Sequence, residues 1–392
     1  MNKVVRRVLV ISASVIGAVA IAAGGYIGYV ILSYNRIGNT VLDIDHNTDQ
    51  SQVKVGETYK ALSYNIGFGA YSQDYTFFLD AGYAEEGKPT CGYYSKAKSQ
   101  ADVEFNTSGA IEVVKQASPD FVFFQEVDTH STRSYYINQD EAIRKAFPSY
   151  DHTLAVNFHS SFLPYPFYDM HGLVNSGLTT LSRFQITEAQ RKEYTVSDSL
   201  SKLFDLDRCF STQKIKVDNG KNLYIINSHM SAYDEGGTIR TKQVAELNAF
   251  LQDVQDHGDY VVVGGDWNHD LLTYNPNFKN EDGSFKYTKE HVAFDEKKKT
   301  PEWLNYYFDS TGKSPLIDGY KVVASDNNPS CRNNDIEWTP GKTYVCCVDG
   351  FIVSDNIEVV SHENMQTKQG KKGIDGFAYS DHEPVAFSFK LK

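Results

Sequence analysis

A long uncharged run near the N-terminus sets the strongest constraint on what this chain can fold into. Residues 8–32 carry no charged side chain, and a helix of about 20 apolar residues is long enough to cross a bilayer. Basic residues are more frequent before the run than after it, namely Lys3, Arg6 and Arg7 against Arg36. Because positive charge is retained on the cytoplasmic side, we expect residues 1–7 in the cytoplasm and the chain beyond the membrane helix outside the cell.

A cleaved signal peptide is the alternative interpretation of this run. Ala18-Val19-Ala20 resembles the small-residue cleavage site that follows the apolar core of a signal peptide. The apolar run continues to Leu32, however, which is longer than such a core usually is. The sequence therefore favours an uncleaved, single-pass anchor.

The rest of the chain is expected to form a linker and one large domain. Residues 33–58 are polar and rich in turn-forming residues, as in a juxtamembrane connector. Residues 59–392 suffice for one α/β domain with a single core, and a hydrophobic share of 41% is typical of an ordered protein. The five cysteines are too few for a disulfide scaffold, although a bridge from Cys346 or Cys347 to Cys331 is sterically feasible.

Short β-rich runs recur along this domain and alternate with helical patterns. The runs that predict strands are YKALSYNI, FVFFQEV, LYIINSHM, YVVVGGDWN, GFIVSD and PVAFSFKL. Helices are predicted over about residues 108–116 and within residues 238–258, where apolar residues repeat at helical spacing. Strands combined with outer helices imply a layered α/β architecture. Residues 70–103 and 271–300 lack periodicity and are expected to be long surface insertions.

Acids, amides and imidazoles fall at the ends of the predicted strands. They are Asn65, Glu126, His229, Asp266, Asn268, Asp381 and His382. Polar groups at one edge of a sheet can converge on a shared crevice, which is where α/β folds place their ligands. Any one of them alone is more typical of a turn or cap residue, so it is the set that predicts a functional site.

Seven motifs that contain these residues occur in one order along the domain. They are SYNIGF (63–68), FFQEVD (123–128), NSGLTTLSRF (175–184), NSHMSAY (227–233), GGDWN (264–268), VDGFIVS (348–354) and YSDHEP (379–384). In these motifs the chain resembles the endonuclease/exonuclease/phosphatase superfamily, which includes DNase I, the apurinic endonucleases and bacterial sphingomyelinases. The resemblance implies a four-layered α/β/β/α sandwich of two packed mixed β-sheets with helices on the outer faces. It also implies hydrolysis of a phosphate ester by a water activated by Mg²⁺, with Mn²⁺ or Ca²⁺ as alternatives.

The resemblance assigns the metal to one group of carboxylates. Glu126 is implied as the main ligand of the ion, with Asn65 beside it and Asp381 on the same side. Hard cations such as Mg²⁺ prefer oxygen ligands and keep several waters, which agrees with this set. The apurinic endonucleases carry an acid two positions after the first-strand asparagine, where this chain has Gly67. The departure makes repair of abasic sites an unlikely activity.

The water and the phosphate are assigned to a second group of residues. Asp266 is implied to orient and deprotonate the attacking water, and Asn268 to hold that water or a phosphate oxygen. His382 would donate to a non-bridging phosphate oxygen while Asp349 accepts from its other ring nitrogen and fixes the tautomer. His229 would protonate the leaving oxygen or grip the phosphate, with a purely structural role as its alternative.

Two further residues are candidates for substrate or phosphate binding. Asn175 matches a family position that contacts phosphate, although it is also a plausible turn residue before Gly177. Arg183 either touches substrate or steadies a loop by hydrogen bonding. Neither assignment follows from the residues alone.

These inferences predict an extracytoplasmic phosphodiesterase or phosphatase anchored to the cell membrane. Proximity to lipid favours a phospholipid or phosphorylated headgroup as substrate, and the aromatic stretch at residues 162–168 could contact a membrane surface or form a packed loop. A surface nuclease is the alternative, but a formal net charge of −12 disfavours a broad nucleic-acid surface. A catalytically inactive binding module is a third hypothesis, against which no member of the expected residue set is missing.

Overall fold

A computed structural model of the chain describes residues 2–33, 35–85, 88–197, 207–232, 238–268, 271, 316–325 and 327–392. The α-helices of this part are α1 (Lys3–Ser33), α2 (Gln100–Ala117), α3 (Gln139–Ala146) and α4 (Thr238–Asp256). The strands up to the middle of the chain are β1 (Thr40–Val41), β2 (Thr58–Asn65), β3 (Ala81–Glu85), β4 (Lys88–Cys91), β5 (Phe121–Asp128), β6 (Asp151–Leu163), β7 (Gly172–Ser182) and β8 (Ile186–Glu193). The later strands are β9 (Cys209–Lys216), β10 (Asn222–His229), β11 (Tyr260–Asp266), β12 (Tyr320–Val323), β13 (Cys331–Arg332), β14 (Val345–Cys346), β15 (Asp349–Ser354), β16 (Ile357–Asn364) and β17 (Val385–Leu391).

Two mixed sheets pack face to face and form the centre of the domain. In the described part of the chain, one sheet has the strand order β1-β8-β9-β10-β11-β15-β12 and the other the order β16-β17-β2-β5-β7-β6. The core between them is apolar and includes Ala61, Phe123, Ile225, Val262 and Phe387. Successive side chains on a strand point to opposite faces, and aligned sheets bury the faces that meet. The two inner faces therefore make one continuous core.

Helices cover both outer faces, as the four-layered expectation requires. Helices α2 and α3 lie on one sheet, where Val114 and Ile143 pack against Leu62 and Phe124. Helix α4 lies on the other sheet, where Leu247 and other apolar residues of its inner face pack against the outer face of β10 and β11. The predicted α/β/β/α sandwich is confirmed.

The strand directions bring polar residues from both sheets to one edge. Strands β2 and β5 run parallel, and so do β10 and β11, in which His229 is the register partner of Asp266. Strand β15 is antiparallel to β11 and begins at Asp349, which is the register partner of Asp266. Strand β17 is antiparallel to β2, so it starts at the edge where β2 ends. Four strands thus end, and two begin, at the same side of the sandwich.

Helix α1 is long and apolar enough to span a membrane by length and composition, and its apolar stretch is exposed except near its C-terminal end, where Val30 is buried. It begins five residues before the predicted span and ends one residue after it. Near its C-terminal end it contacts β6, because the Tyr26 hydroxyl donates to the Phe162 carbonyl at 3.0 Å. The Phe162 amide donates in turn to the Tyr29 hydroxyl at 3.3 Å.

The expected linker is attached to the domain along much of its length. Strand β1 pairs with β8, and Val53 is fully buried in the core between the sheets. Buried Arg191 donates to the carbonyls of Ile37 and Gly38 at 2.6 and 2.9 Å. The linker is therefore held to the folded domain by strand pairing and buried hydrogen bonds.

Helix α2 begins eight residues before the predicted start. Ser99 caps it by accepting a hydrogen bond from the Asp102 amide at 3.1 Å, a typical N-cap arrangement. Its first half buries polar residues, and the Asn106 amide donates to the Gly69 carbonyl at 2.8 Å. Because buried polar side chains replace apolar ones there, the apolar periodicity that predicted the helix was visible only in its second half.

The expectation that residues 70–103 form a surface insertion is wrong. Phe68, Tyr71, Tyr75, Phe77 and Val103 are buried together in an aromatic cluster. Tyr71 and Tyr75 pack with their ring centroids 4.9 Å apart in an edge-to-face arrangement, which stabilises such pairs. The second expected insertion lies outside the described residues, apart from Leu271.

No disulfide joins the cysteines in the described part of the chain. Cys331 and Cys346 are register partners of β13 and β14. The two residues between which the sequence makes a bridge feasible therefore lie opposite each other without forming one.

We expect Phe123→Ala to lower the free energy of unfolding by about 3–5 kcal/mol, because it deletes a large side chain from a packed core. Phe123 is fully buried between the sheets, with Phe351 at a centroid distance of 6.3 Å. Urea unfolding of the full chain in detergent measures the change. Phe167→Ala is the matched control, because Phe167 is 76% exposed and its removal should change stability by less than about 0.5 kcal/mol.

Candidate active site

The edge where the strands converge opens into a cavity of about 570 Å³. Its polar wall includes six of the sequence-predicted site residues, namely Glu126, His229, Asp266, Asn268, Asp381 and His382. Asn65 and Asp349 lie directly behind this wall and hydrogen bond to its members. The structure therefore brings eight of the ten predicted residues together.

Asp266 is the most closely surrounded carboxylate of the cavity. It is 1% exposed, and its Oδ2 accepts from Asn65 Nδ2 at 2.9 Å and lies 3.3 Å from His229 Nε2. Its Oδ1 accepts from the Asn268 backbone amide at 2.8 Å. Burial alone raises the pKa of Asp266, but the charge of His382 and the surrounding donors outweigh it and lower the pKa below its ordinary value. Asp266 is therefore ionised at neutral pH.

His382 is held by a carboxylate on one side and faces the cavity on the other. Its Nδ1 is 2.8 Å from Asp349 Oδ2, and its Nε2 is 3.7 Å from Asp266 Oδ2. Burial opposes the charged imidazolium, yet the two acids raise the pKa of His382 well above its ordinary value. Asp349 also accepts from Ser330 Oγ at 2.8 Å. The pair can present a charged N–H donor to an anion in the cavity.

His229 differs from His382 in its protonation. It is 2% exposed, and its Nδ1 has no hydrogen-bond partner. Burial and the nearby Arg208 charge lower the pKa of His229. A neutral ring that donates through Nε2 toward Asp266 leaves its Nδ1 as an acceptor.

Glu126 reaches the cavity through an irregularity in its strand. The β5–β7 register shifts between Phe124 and Val127, and Glu126 has a φ of 54°. A bulge of this kind re-aims a side chain, and left-handed backbone at a non-glycine residue is often found at functional sites. The carboxylate of this half-buried residue is 3.5 Å from Asn65 Nδ2, which leaves it able to bind a ligand from the cavity.

Asp381 is supported by residues that the sequence motifs do not contain. Asn334 Nδ2 donates to Asp381 Oδ2 at 2.9 Å and to Asp80 Oδ2 at 3.0 Å. Burial raises the pKa of Asp80 to about 7. Asp80 and Asn334 line the same cavity and were missed because each lies in a segment without a recognisable motif.

The carboxylates fit a divalent cation in two ways. Glu126 and Asp381 offer oxygen ligands in the cavity wall, which suits a hard cation that keeps waters. Asp266, Asp349 and His382 also place ligand atoms within 4.8 Å of one another. The 2.8 Å contact between His382 and Asp349 needs a proton on the imidazole, so binding there would break that hydrogen bond. The geometry favours the Glu126 side.

Gly67 lies where a second metal-binding acid was noted as missing. Its φ is 50°, and a Cβ there would lie 2.5 Å from Tyr71 Cδ2 and 2.9 Å from Asp381 Oδ1. The position has no room for a side chain. The packing of Tyr71 therefore explains the glycine and leaves Asp381 as the neighbouring acid.

Asn268 and Asn175 differ in their position relative to the cavity. Asn268 has a φ of 49°, and its Nδ2 donates to the Met230 carbonyl at 2.8 Å, so its Oδ1 is the atom left for a ligand. Asn175 does not line the cavity, whereas its neighbour Ser176 does. Successive strand residues face opposite sides, so Ser176 faces the cavity and Asn175 faces away from it.

Arg183 lies away from the cavity, so of its two expected roles the structure agrees with the structural one and not with a contact to substrate. It follows β7 near Phe121, at the opposite end of β5 from Asp128, and seven strand residues span roughly 23 Å. Its Nε donates to the Tyr150 hydroxyl at 2.6 Å and its Nη2 to Ser118 Oγ at 2.7 Å. The guanidinium holds together the loops at that end.

Three buried arginines of the cavity wall, Arg133, Arg208 and Arg332, were also missed. Each lies outside the quoted motifs. An arginine in an irregular segment is more often exposed than buried, so the sequence carried no signal for them.

Comparisons with known proteins agree on the fold. A sequence model of the Endonuclease/Exonuclease/phosphatase family matches residues 62–382, whereas no curated protein sequence matches. The solved structure of ANGEL2, a 2',3'-cyclic phosphatase in complex with adenosine-2',3'-vanadate, is 14% identical with a TM-score of 0.51, covering 89% of this chain and 98% of that one.

Two further solved structures are similar. The endonuclease/exonuclease/phosphatase from Bacteroides vulgatus is 13% identical with a TM-score of 0.49, covering 86% of this chain and 100% of that one. TDP2 from D. rerio, complexed with a single-strand DNA product, is 14% identical with a TM-score of 0.48 and the same coverage. At such identities the likeness concerns the fold.

We expect Asp349→Asn to lower kcat for phosphate-ester hydrolysis by about 100-fold, because the neutral amide no longer supports the charge of His382 and its N–H can donate to Nδ1 and favour the other tautomer. Steady-state kinetics at saturating metal ion measure the effect. Arg183→Met is the matched control and should keep kcat within about 3-fold while lowering the unfolding free energy by about 1–2 kcal/mol. An Asp349→Asn enzyme as active as the wild type would contradict the role given to this pair.

Proposed function

The chain belongs to the endonuclease/exonuclease/phosphatase family, whose members hydrolyse phosphate esters with divalent metal ions. We propose that it is such a hydrolase and that it is held at the outer face of the cell membrane. The observation that carries the proposal is the pairing of an imidazolium and an ionised carboxylate in one cavity. His382 Nε2 and Asp266 Oδ2 lie 3.7 Å apart, and each is fixed from behind by a separate partner. A donor and an acceptor so placed suit the attack of water on a phosphate.

Asp266 orients the attacking water in this proposal. Its carboxylate is ionised and held by Asn65 and the Asn268 amide, so it accepts a hydrogen bond, and then a proton, from a water in the cavity. Asn268 Oδ1 is the second acceptor for that water. These contacts fix the direction of attack without any movement of the backbone.

His382 stabilises the charge that develops on the phosphate. Its Nε2 faces the cavity while Asp349 holds Nδ1 at 2.8 Å, so the ring donates to a non-bridging oxygen in the transition state. Such preorganised donors act strongly in a site with little water. Asp349 needs no contact with substrate for this role.

His229 binds the phosphate in this proposal. The low pKa of His229 favours the neutral ring, which is a poor proton donor to a leaving oxygen at neutral pH. Donation of the single Nε2–H to a phosphate oxygen, in exchange for its 3.3 Å contact with Asp266, is therefore preferred over protonating the leaving group. The buried Nδ1, which lacks a partner in the described structure, is available to a protonated group of the substrate.

Glu126, Asn65 and Asp381 would hold the metal ion, for which we propose Mg²⁺, with Mn²⁺ or Ca²⁺ as alternatives. The carboxylate oxygens of Glu126 and Asp381 meet the preference of such ions for hard ligands. When bound, the ion supplies Lewis-acid polarisation of a phosphate oxygen and lowers the pKa of water. Asn65 orients Glu126 and Asp266 toward each other through one amide group.

A phospholipid or phosphorylated headgroup is the substrate class that we propose. The cavity that contains Asp266 is lined at its other end by apolar residues, including Phe78, Leu163 and Tyr165, and by Tyr26 of helix α1. Tyr26 precedes the end of the apolar run by six residues, or about 9 Å along a helix. An apolar wall next to a membrane helix suits an acyl chain better than a polar substrate.

The exposed aromatic residues beside this wall support the outward, membrane-facing arrangement. Tyr165, Phe167 and Tyr168 are exposed and follow directly on the strand that contacts α1. Aromatic side chains favour the interface between bilayer and water. Together with the basic residues before the helix, they favour a catalytic domain outside the cell.

We expect Asp266→Ala and His382→Ala each to reduce turnover at least about 100-fold, because they remove the water-orienting carboxylate and the charge-stabilising donor. The full chain in detergent–lipid micelles with Mg²⁺ is assayed against sphingomyelin, phosphoinositides, a generic phosphodiester and plasmid DNA. Unfolding temperatures close to that of the wild type show that the variants fold. Chelation should abolish turnover, and added Mg²⁺ should restore it.

Three outcomes would contradict parts of this proposal. Unchanged hydrolysis in the two variants would refute the mechanism. The strongest turnover on plasmid DNA would replace a lipid substrate by the nuclease alternative. No turnover on any substrate would favour an inactive binding module.

A further inference from the structure

Two buried arginines in the cavity wall differ in their hydrogen bonds. Arg133 is paired within the protein, because its Nε and Nη2 donate to the two oxygens of Asp128 at 3.0 and 2.9 Å. Its guanidinium also lies 3.9 Å from the centroid of the Phe68 ring. Arg133 is therefore a structural arginine whose charge is paired with that of Asp128.

Arg332 lies in the same wall without such a match. It is 1% exposed, and its Nη2 donates to the Ser72 carbonyl at 3.1 Å. In the described part of the chain, its buried Nε and Nη1 have no hydrogen-bond partner. Burial lowers the pKa of Arg332, and the charges of Asp381 and Asp80 oppose that effect.

An arrangement of this kind is unfavourable in the folded protein alone. A guanidinium does not give up its proton in a protein, and a buried charge with unmade hydrogen bonds is costly. Buried donors are normally satisfied. The unpaired Nε and Nη1 therefore indicate a partner that lies outside the described residues, and Arg332 lines a cavity that can admit a ligand.

The backbone of Arg332 places it beside the reaction centre. Its amide donates to the Asp381 carbonyl at 2.9 Å, and the preceding residue, Cys331, has its Sγ 3.7 Å from His382 Nε2. The guanidinium fork matches two oxygens of a phosphate or carboxylate. In a cavity that also contains His382, the ligand that fits this fork is an oxyanion.

We propose that the guanidinium of Arg332 binds two oxygens of the substrate phosphate along one of its edges, with the unpaired Nε or Nη1 donating beside the second N–H of Nη2. The inference rests on the proposed function, which brings a phosphate ester into this cavity. It adds a binding residue that lies outside the motifs of the sequence. It also explains why the protein retains a buried charge, because donors that are unpaired in the ligand-free protein bond to the phosphate in the complex.

Binding of inorganic phosphate to the full chain in detergent tests this without any turnover. We expect phosphate to raise the unfolding temperature of the wild type, with and without chelator, and Arg332→Gln to lose that rise, with the dissociation constant at least about 10-fold higher. Arg332→Lys keeps the charge but not the fork, so it should also bind more weakly.

Arg133→Lys is the matched control. It breaks the paired geometry with Asp128, so it should lower the unfolding temperature of the ligand-free protein and keep the rise caused by phosphate. Arg332→Gln should not lower the unfolding temperature of the ligand-free protein, but it should lose the rise caused by phosphate. An Arg332→Gln protein that is destabilised without ligand but still gains stability from phosphate would show a structural role and overturn the proposal.

A soluble phosphodiester distinguishes substrate phosphate from the free ion. Arg332→Gln should raise KM for that diester at least about 10-fold, in parallel with weaker inhibition by inorganic phosphate. An unchanged KM would overturn the assignment to substrate. A wild type that binds phosphate through Arg332 but hydrolyses no ester would instead contradict the proposed function.

Discussion

The burial of an ionised carboxylate at the end of β11 is the constraint on which the rest of the site depends. Asp266 is almost completely enclosed, and a charge in that position is tolerated only when donors surround it. The donors come from both sheets, since Asn65 ends β2, His229 ends β10 and His382 precedes β17. A one-residue slip in either sheet would turn these side chains to the other face. The polar network and the register of the sandwich therefore support each other.

The groups around Asp266 differ in their charge. Asp349 raises the pKa of His382, whereas burial and the Arg208 charge lower the pKa of His229. One charged and one neutral imidazole therefore lie beside the same carboxylate at one pH. Glu126 lies on a bulge at the margin of this network, where Asn65 Nδ2 is 3.5 Å from its carboxylate. Arg332, whose amide bonds to the Asp381 carbonyl, has two nitrogens without a hydrogen-bond partner in the described structure.

Much of the fold was predictable because the apolar pattern reports burial directly. The six predicted strands agree with β2, β5, β10, β11, β15 and β17 to within about two residues, a usual uncertainty for element ends. Strand β8 was not predicted, because a strand with the sequence ITEAQRKE has no apolar run. The first half of α2 was missed for a related reason, since its buried face is polar.

The site was predictable as a set but not in its details. Polar residues at strand ends and the ordered motifs identified eight residues that converge. The other two residues lie outside the cavity wall for different reasons. Because β7 is antiparallel to β5, Arg183 lies at the far edge of the sheet. Because side chains alternate along β7, Ser176 lines the cavity and Asn175 does not. Partners such as Asn334 and Arg332 depend on how irregular segments pack, and no local pattern encodes that packing.

We propose that these strand ends form one metal and phosphate centre whose cation lies beside Glu126. Crystals of the full chain grown with Mn²⁺ test this arrangement through the anomalous signal of the ion. We expect a peak in the cavity next to the Glu126 carboxylate, with the contact between His382 and Asp349 intact and no such peak in Glu126→Gln. A peak between Asp349 and His382, or a peak that persists in Glu126→Gln, would contradict it.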